Sequence, residues 1–372
     1  MARRRSTRVF SNKLRDHTRA ETGRVGWRLT IILCSLLGTV FTSETRASSR
    51  LSTDVVYMKN GDKITCEIRS LEQAQLTIKQ EYANSTVVLD WNKVDHIQTK
   101  QPFVVIDVKG DASSGVISEA ADQHIVKIAG ASQKEIPHND VVSIEQTGET
   151  FTRRLRGDFD LGLSFAQSNA QKNLTFDGDL TYQATRDIAS LTSNSQFTSQ
   201  KETTDTDETT VKSEFFHQLR KSGWYGGGIA NFLSSSEQQI DLRTTLGGAF
   251  AVRPIYTNRT NLSLIVGLAF TSEKDRSNAT STANKRSLDS AAAVQFSTFR
   301  FDSTTFNTSI WVYPSLTSIG RVRMTINQDV YYKFYKDFYV RASFYDNYDN
   351  RPVVGAPPNN LGFSSTVGWS FR

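Results

Sequence analysis

From Gly157 to the end of the chain, apolar residues recur with a period of two. Phe159, Leu161, Leu163 and Phe165 share one phase, and Leu262, Leu264, Val266, Leu268 and Phe270 share another. Leu288, Ala292, Val294 and Phe296 follow the same rule, as do Val322, Met324, Ile326, Val330 and Tyr332. The last run sets Leu361, Phe363, Val367, Trp369 and Phe371 against Ser364, Thr366, Gly368 and Ser370. One greasy face and one small, polar face is the pattern of a half-buried strand, and no helical period competes with it. The runs number about twelve, the even count that single-chain outer-membrane barrels need. The pattern therefore predicts an all-β chain whose 157–372 segment closes into an antiparallel transmembrane β-barrel. Closure is obligatory there, because hydrocarbon leaves no partner for an open edge.

Loop lengths sort by parity. Arg186-Asp187, Lys221-Ser222-Gly223, Phe301-Asp302 and Lys336-Asp337 mark tight connections, and Pro254 to Arg259 is short. Lys201 to Glu208, Ser272 to Lys285 and Asp346 to Asn360 are long and polar, and they fall on the opposite side. With the amino end of the barrel in the periplasm, all tight turns lie inside and all long loops outside. Trp224, Tyr225, Tyr332, Phe334, Tyr335, Phe338, Trp369 and Phe371 then form an aromatic girdle at one water boundary.

Before the barrel, residues 48–150 read as a small β module that states one pattern twice. Val55-Val56-Tyr57-Met58-Lys59-Asn60-Gly61-Asp62 matches Val104-Val105-Ile106-Asp107-Val108-Lys109-Gly110-Asp111. Each copy ends on an apolar pair three apart, Val94/Ile97 and Val141/Ile144. The offset is about 48 residues. Gly61 and Gly110 stand where a hairpin needs positive φ. Each copy suits a small SH3-like or Sm-like barrel, serving as a periplasmic binding module or as a plug or spacer. Thr150 to Arg156 is a short basic connector.

The apolar run Leu29 to Phe41, with Arg24 and Arg28 before it and Thr45-Arg46-Ala47 after it, predicts a secretory signal peptide cleaved near Ala47, with a long basic extension in front. It is short of the roughly 20 residues of a membrane helix. This leader changes the reading of charge. The chain carries +6, but residues 1–47 hold ten Lys/Arg against three acids, so the remainder is near −1. A nucleic-acid partner is thereby excluded. Cys34 lies in the leader, so Cys66 has no internal disulfide partner and reads as a small core residue.

On the phase assigned inward lie Glu214, Asp241, Arg243, Asp289, Arg321, Arg323, Asp329 and Arg341. Mixed charge there lines a narrow water-filled pore or cross-links the lumen shut, and a barrel of this size favours a constricted lumen. His96, His124 and His138 lack metal-ligand spacing, so no metal or cofactor is expected. His217, the one histidine of the barrel, falls on the lipid phase near the periplasmic rim without a catalytic constellation around it. The chain is accordingly not read as an enzyme.

With this layout, the chain resembles the domain-of-unknown-function family of salt-induced outer-membrane β-barrel proteins. The resemblance rests on Asn60-Gly61-Asp62, Trp91-Asn92-Lys93-Val94, the Gly157-Asp158-Phe159-Asp160-Leu161-Gly162-Leu163-Ser164 strand and the aromatic carboxyl end. Arg372 follows Phe371, where such barrels usually end on the aromatic. The resemblance implies a barrel in the outer membrane of a Gram-negative bacterium. The expected role is envelope-structural or that of a narrow, porin-like passive pore. The expected partners are outer-membrane lipid and lipopolysaccharide, the barrel-assembly machinery, and a periplasmic partner for the repeats. A lipid-modifying outer-membrane enzyme and a soluble secreted β protein are the rival classes.

Overall fold

A computed structural model of the chain describes residues 53–83, 86–119, 125–130, 133–147, 154–166, 171–184, 186–199, 204–219, 223–276, 285–299, 304–335 and 338–371. The expected signal peptide, His124, the start of the connector, and the centres of several turns and loops lie outside the described residues.

The first ten strands form one unit of two like halves. The first half runs β1 (Asp54–Met58), β2 (Lys63–Glu72), β3 (Gln75–Lys79), β4 (Thr86–Asp90), a one-turn 3-10 helix (Trp91–Lys93) and β5 (Val94–Gln98). The second runs β6 (Pro102–Asp107), β7 (Ala112–Glu119), β8 (Ile125–Gly130), β9 (Lys134–Pro137), a 3-10 turn (His138–Asp140) and β10 (Val141–Gln146). In each half the first strand pairs with the second and the last. Each half turns on a glycine with positive φ, +94° at Gly61 and +77° at Gly110. That conformation costs any residue with a Cβ.

The copies do not stand as two separate small barrels. They merge through β2 and β10, with Leu71 opposite Ile144. Val56, Ile68, Leu76, Trp91, Phe103, Ile128 and Ile144 belong to a single buried cluster. One copy alone is too small to bury much apolar surface, so sharing a core is the economical solution. Trp91 and His138 hold equivalent places in the two copies and stack on each other, centroids 4.1 Å apart and planes 4° from parallel. Cys66 is fully buried in this core. Burial, with the nearby Asp54 and Glu67 carboxylates, pushes its thiol up to about 12.

The remaining strands are β11 (Leu155–Ala166), β12 (Gln171–Gln183), β13 (Asp187–Ser199), β14 (Thr206–Gln218), β15 (Trp224–Ser235) and β16 (Ile240–Tyr256), then β17 (Thr260–Asp275), β18 (Lys285–Phe299), β19 (Thr304–Pro314), β20 (Val322–Tyr335), β21 (Phe338–Asp349) and β22 (Asn359–Phe371). Each pairs antiparallel with its chain neighbour, and β11 pairs with β22, so twelve strands close into a barrel. They run from 11 to 17 residues, enough to cross hydrocarbon.

Alternation sets the two faces. Phe250, Val266, Leu268 and Phe363 point outward and are 55–71% exposed. Leu264 and Val294 are also exposed on this face. An apolar belt this continuous far exceeds the patches that water-soluble proteins leave uncovered. Lipid is the solvent that such a belt fits. Trp224, Tyr332, Phe334, Tyr335, Phe338 and Trp369 are exposed near the tight-turn end of the barrel, where the girdle is expected. Tyr225 is not with them. It lies on the inward phase of β15, buried at 6%, with the Arg253 guanidinium 4.7 Å over its ring. The side chain of Phe371 lies outside the described residues.

Two outcomes are expected. Val266→Arg, on the belt at mid-strand, should destabilise the barrel refolded into lipid vesicles by about 2–4 kcal/mol in urea titrations. Cys66 should resist a maleimide at neutral pH in the folded protein and react on unfolding, because a buried thiol is a poor nucleophile.

Candidate functional site: the barrel lumen

The inward phase of the strands builds an uneven interior. Over β14 to β19 it is filled by Phe216, Ile229, Ile265, Trp311 and Tyr313, packed on Ala249, Ala251, Ala269, Ala291 and Ala293. Small residues on some strands make room for large ones on their neighbours, as Ala293 does opposite Trp311. The other side, chiefly β11 to β14 and β18 to β22, stays polar around a cavity of about 570 Å³.

Charged side chains cross this interior in two groups. Toward the long-loop end, Arg243 donates to Glu273 at 2.6 Å and to Asp349 at 3.1 Å. Arg321 reaches the same two carboxylates at 3.1 and 2.6 Å. Arg323 bonds Asp289, which also accepts from Thr271 at 2.7 Å, and sits 5.5 Å from the Tyr313 ring centre. Three guanidinium groups thus meet three carboxylates within this group. Deeper in the lumen, Arg341 donates to Asp329 at 2.9 Å, Asp160 at 2.9 Å and Asp179 at 3.3 Å. Ser343 donates to Asp329 at 2.6 Å. Buried charges persist only when paired and hydrogen-bonded in this way.

Other acids along the cavity are held by neutral donors. Asn194 donates to Asp177 at 2.8 Å, Gln295 to Glu214 at 3.0 Å, and Asn347 to Glu208 at 2.9 Å. Such bonds hold a carboxyl group in one orientation.

Of the eight inward residues expected from sequence, Arg243, Asp289, Arg321, Arg323, Asp329 and Arg341 join these two groups, and Glu214 lines the cavity. Asp241 does not. The β16–β17 register slips between Ile240 and Leu242, and that bulge turns Asp241 away from the lumen. It pairs at 2.6 Å with Lys274, whose side chain is 56% exposed on the outer face. Sequence reading missed the carboxylates that complete the network: Asp160, Asp179, Glu273 and Asp349, with Asp177 and Glu208 beside the cavity. Simple alternation against Phe159 and Leu161, and against Phe176 and Leu180, marks three of them as inward. His217 is exposed at the rim and lies 2.7 Å from Asp187, its cross-strand neighbour. Among the described residues, no cluster of His, Cys, Asp or Glu is arranged to hold a metal.

Residues 159–371 match the model of the family described as "Protein of unknown function, DUF481". The translocator domain of the autotransporter NalP from Neisseria meningitidis is similar at 14% identity, covering 59% of this chain and 87% of that one, with a TM-score of 0.32. A porin is similar at 13% identity, covering 73% of this chain and 98% of its own, with a TM-score of 0.28. Comparison with curated protein sequences gives no match.

Arg341→Ala strands three carboxylates around an empty place. It should lower stability to urea by about 3–5 kcal/mol, followed by tryptophan fluorescence. A loss under about 1 kcal/mol would mean that water inside the barrel already supports those charges.

Proposed function

We propose, for a chain that belongs to the family of proteins of unknown function DUF481, that it is an outer-membrane β-barrel protein with a narrow, passive pore for small hydrophilic solutes. The observation that carries this reading is the pairing of an exposed apolar belt with a polar interior cavity in one closed sheet. A barrel with that outside belongs in lipid, and a barrel with that inside holds water. Parity of the connections supports the orientation: tight turns, and the end that carries the amino-terminal module, face the periplasm. The barrel's surroundings are then outer-membrane lipid and lipopolysaccharide, reached through the assembly machinery that inserts such barrels. No enzymatic role is assigned, since His217, the one histidine after Gly157, stands at the exposed rim rather than in the cavity.

A second reading has its own support. The arginine–carboxylate bridges across the lumen suit a barrel that braces the envelope and conducts nothing. Planar lipid bilayers separate the two. Folded protein in symmetric KCl is expected to give small, uniform conductance steps. Silence from protein that still shows heat-modifiable migration on a gel would overturn the pore and leave the bracing role.

A further inference from the structure

Among the described residues, the contacts that seat the amino-terminal module on the tight-turn end of the barrel include three of note. Glu72 at the end of β2 forms an ion pair with Arg156 at the start of β11. Gln218 at the end of β14 donates to the Gly110 carbonyl at 2.9 Å. Arg259, in the β16–β17 turn, lies 4.0 Å from Asp90. Gly110 suits this seat in two ways. Its φ is positive, and a Cβ would press to 3.2 Å from the Gln218 amide.

These contacts set one element over the inner mouth of the lumen. The β2–β3 hairpin turns on Gln73 and Ala74, with φ of +48° and +58°. Two successive positive φ angles suit a tight hairpin turn, yet residues with a Cβ take them rarely. The tip is held there from behind, where Ala74 is buried and its carbonyl accepts the Trp91 N–H at 2.9 Å. In front, Gln73 and Gln75 border the same cavity as Arg156, Asp158 and Lys333 of the barrel wall. An uncommon backbone conformation, locked to the module core and aimed into a cavity, marks a position that is set by more than local preference.

We infer that the β2–β3 hairpin of the module is the inner constriction of the lumen, with Gln73 and Gln75 setting the size of hydrophilic solute that passes. The inference rests on the pore reading above and goes beyond it, because it places the filter outside the barrel sheet. Two primary amides carry no net charge, so what they add beside Arg156, Asp158 and Lys333 is bulk and hydrogen-bonding groups. The class passed is therefore small polar solutes selected by width.

The test uses the full chain in planar bilayers and in proteoliposomes swollen with sugars of increasing size, from a pentose to a trisaccharide. Gln73→Gly with Gln75→Ala shortens both side chains, and glycine suits the turn. Conductance is expected to rise roughly twofold, with the size cut-off moving to larger sugars. A second variant decides the matter independently. Gln75→Cys in a Cys34→Ser background should lose conductance when a bulky methanethiosulfonate reagent is added, and regain it with reductant, while buried Cys66 stays unlabelled. Conducting protein whose current ignores labelling of the Gln75→Cys thiol overturns this inference and leaves the pore. Silence of the parent and of the widened variant alike overturns the pore itself.

Discussion

Five residue pairs, from Gly157 opposite Phe371 to Leu161 opposite Val367, join the first barrel strand to the last. Most other ladders of the barrel run to eleven pairs or more, so this seam is the short one. Everything outside and inside the barrel depends on it. An open sheet would leave a row of unpaired N–H and C=O groups, each costly in hydrocarbon. It would also offer sticky edges in water. Closure removes both, and only then can the Phe, Leu and Val belt be turned outward. The seam also serves the lumen. Gly368 of β22 leaves the space that the Asp160 carboxylate of β11 occupies, and a side chain there would collide with it. Asp160 in turn holds Arg341. Strand pairing at the seam and charge pairing in the interior are therefore one packing problem.

The interior follows from the same alternation. Once the outward phase belongs to lipid, the inward phase must place its charges with no free choice of depth. Two solutions are used. At the long-loop end, arginines and carboxylates meet in equal number and span the lumen. Along the cavity, several carboxyl groups rest on amides instead, which keeps them ordered without an ion pair. The apolar side of the interior uses neither, and fills by setting Trp311 and Tyr313 against a wall of alanine. A barrel of twelve strands is wide enough to need all of these fillings and too narrow to leave a broad channel after them.

How much of this is legible without coordinates depends on whether a feature is periodic. The barrel strands, their even number and the sorting of loops can be read because each repeats a period-two rule along the chain. Arg243, Arg323 and Arg341 are legible for the same reason. Asp241 is not, because a single extra residue at a bulge reverses the phase, and nothing in Ile240-Asp241-Leu242-Arg243 announces it. Tyr225 is misread through its neighbour: Trp224 faces out, so the next residue must face in, and aromatic character alone does not say which of the pair meets the boundary. The partner of each arginine is not legible at all. Arg341 and Asp160 are 181 residues apart, and only closure brings them together.

The module raises the same issue of what repetition fixes and what it leaves open. Two copies of one β unit give two nearly identical glycine turns, with matching hydrogen bonds from Met58 to Asp62 and from Asp107 to Asp111. Their surroundings differ. The Gly110 turn is pressed against Gln218 and Tyr225 of the barrel, while a Cβ at Gly61 would meet nothing within 4 Å. Local sequence therefore makes both turns, and only the docked surface distinguishes them. The shared core ties the consequences together: Trp91 of the first copy stacks on His138 of the second and, through its backbone, holds the strained Gln73-Ala74 tip. Both copies hold the barrel rim, the first through Glu72 and Asp90 and the second through Gly110, and the shared core fixes the tip between these contacts.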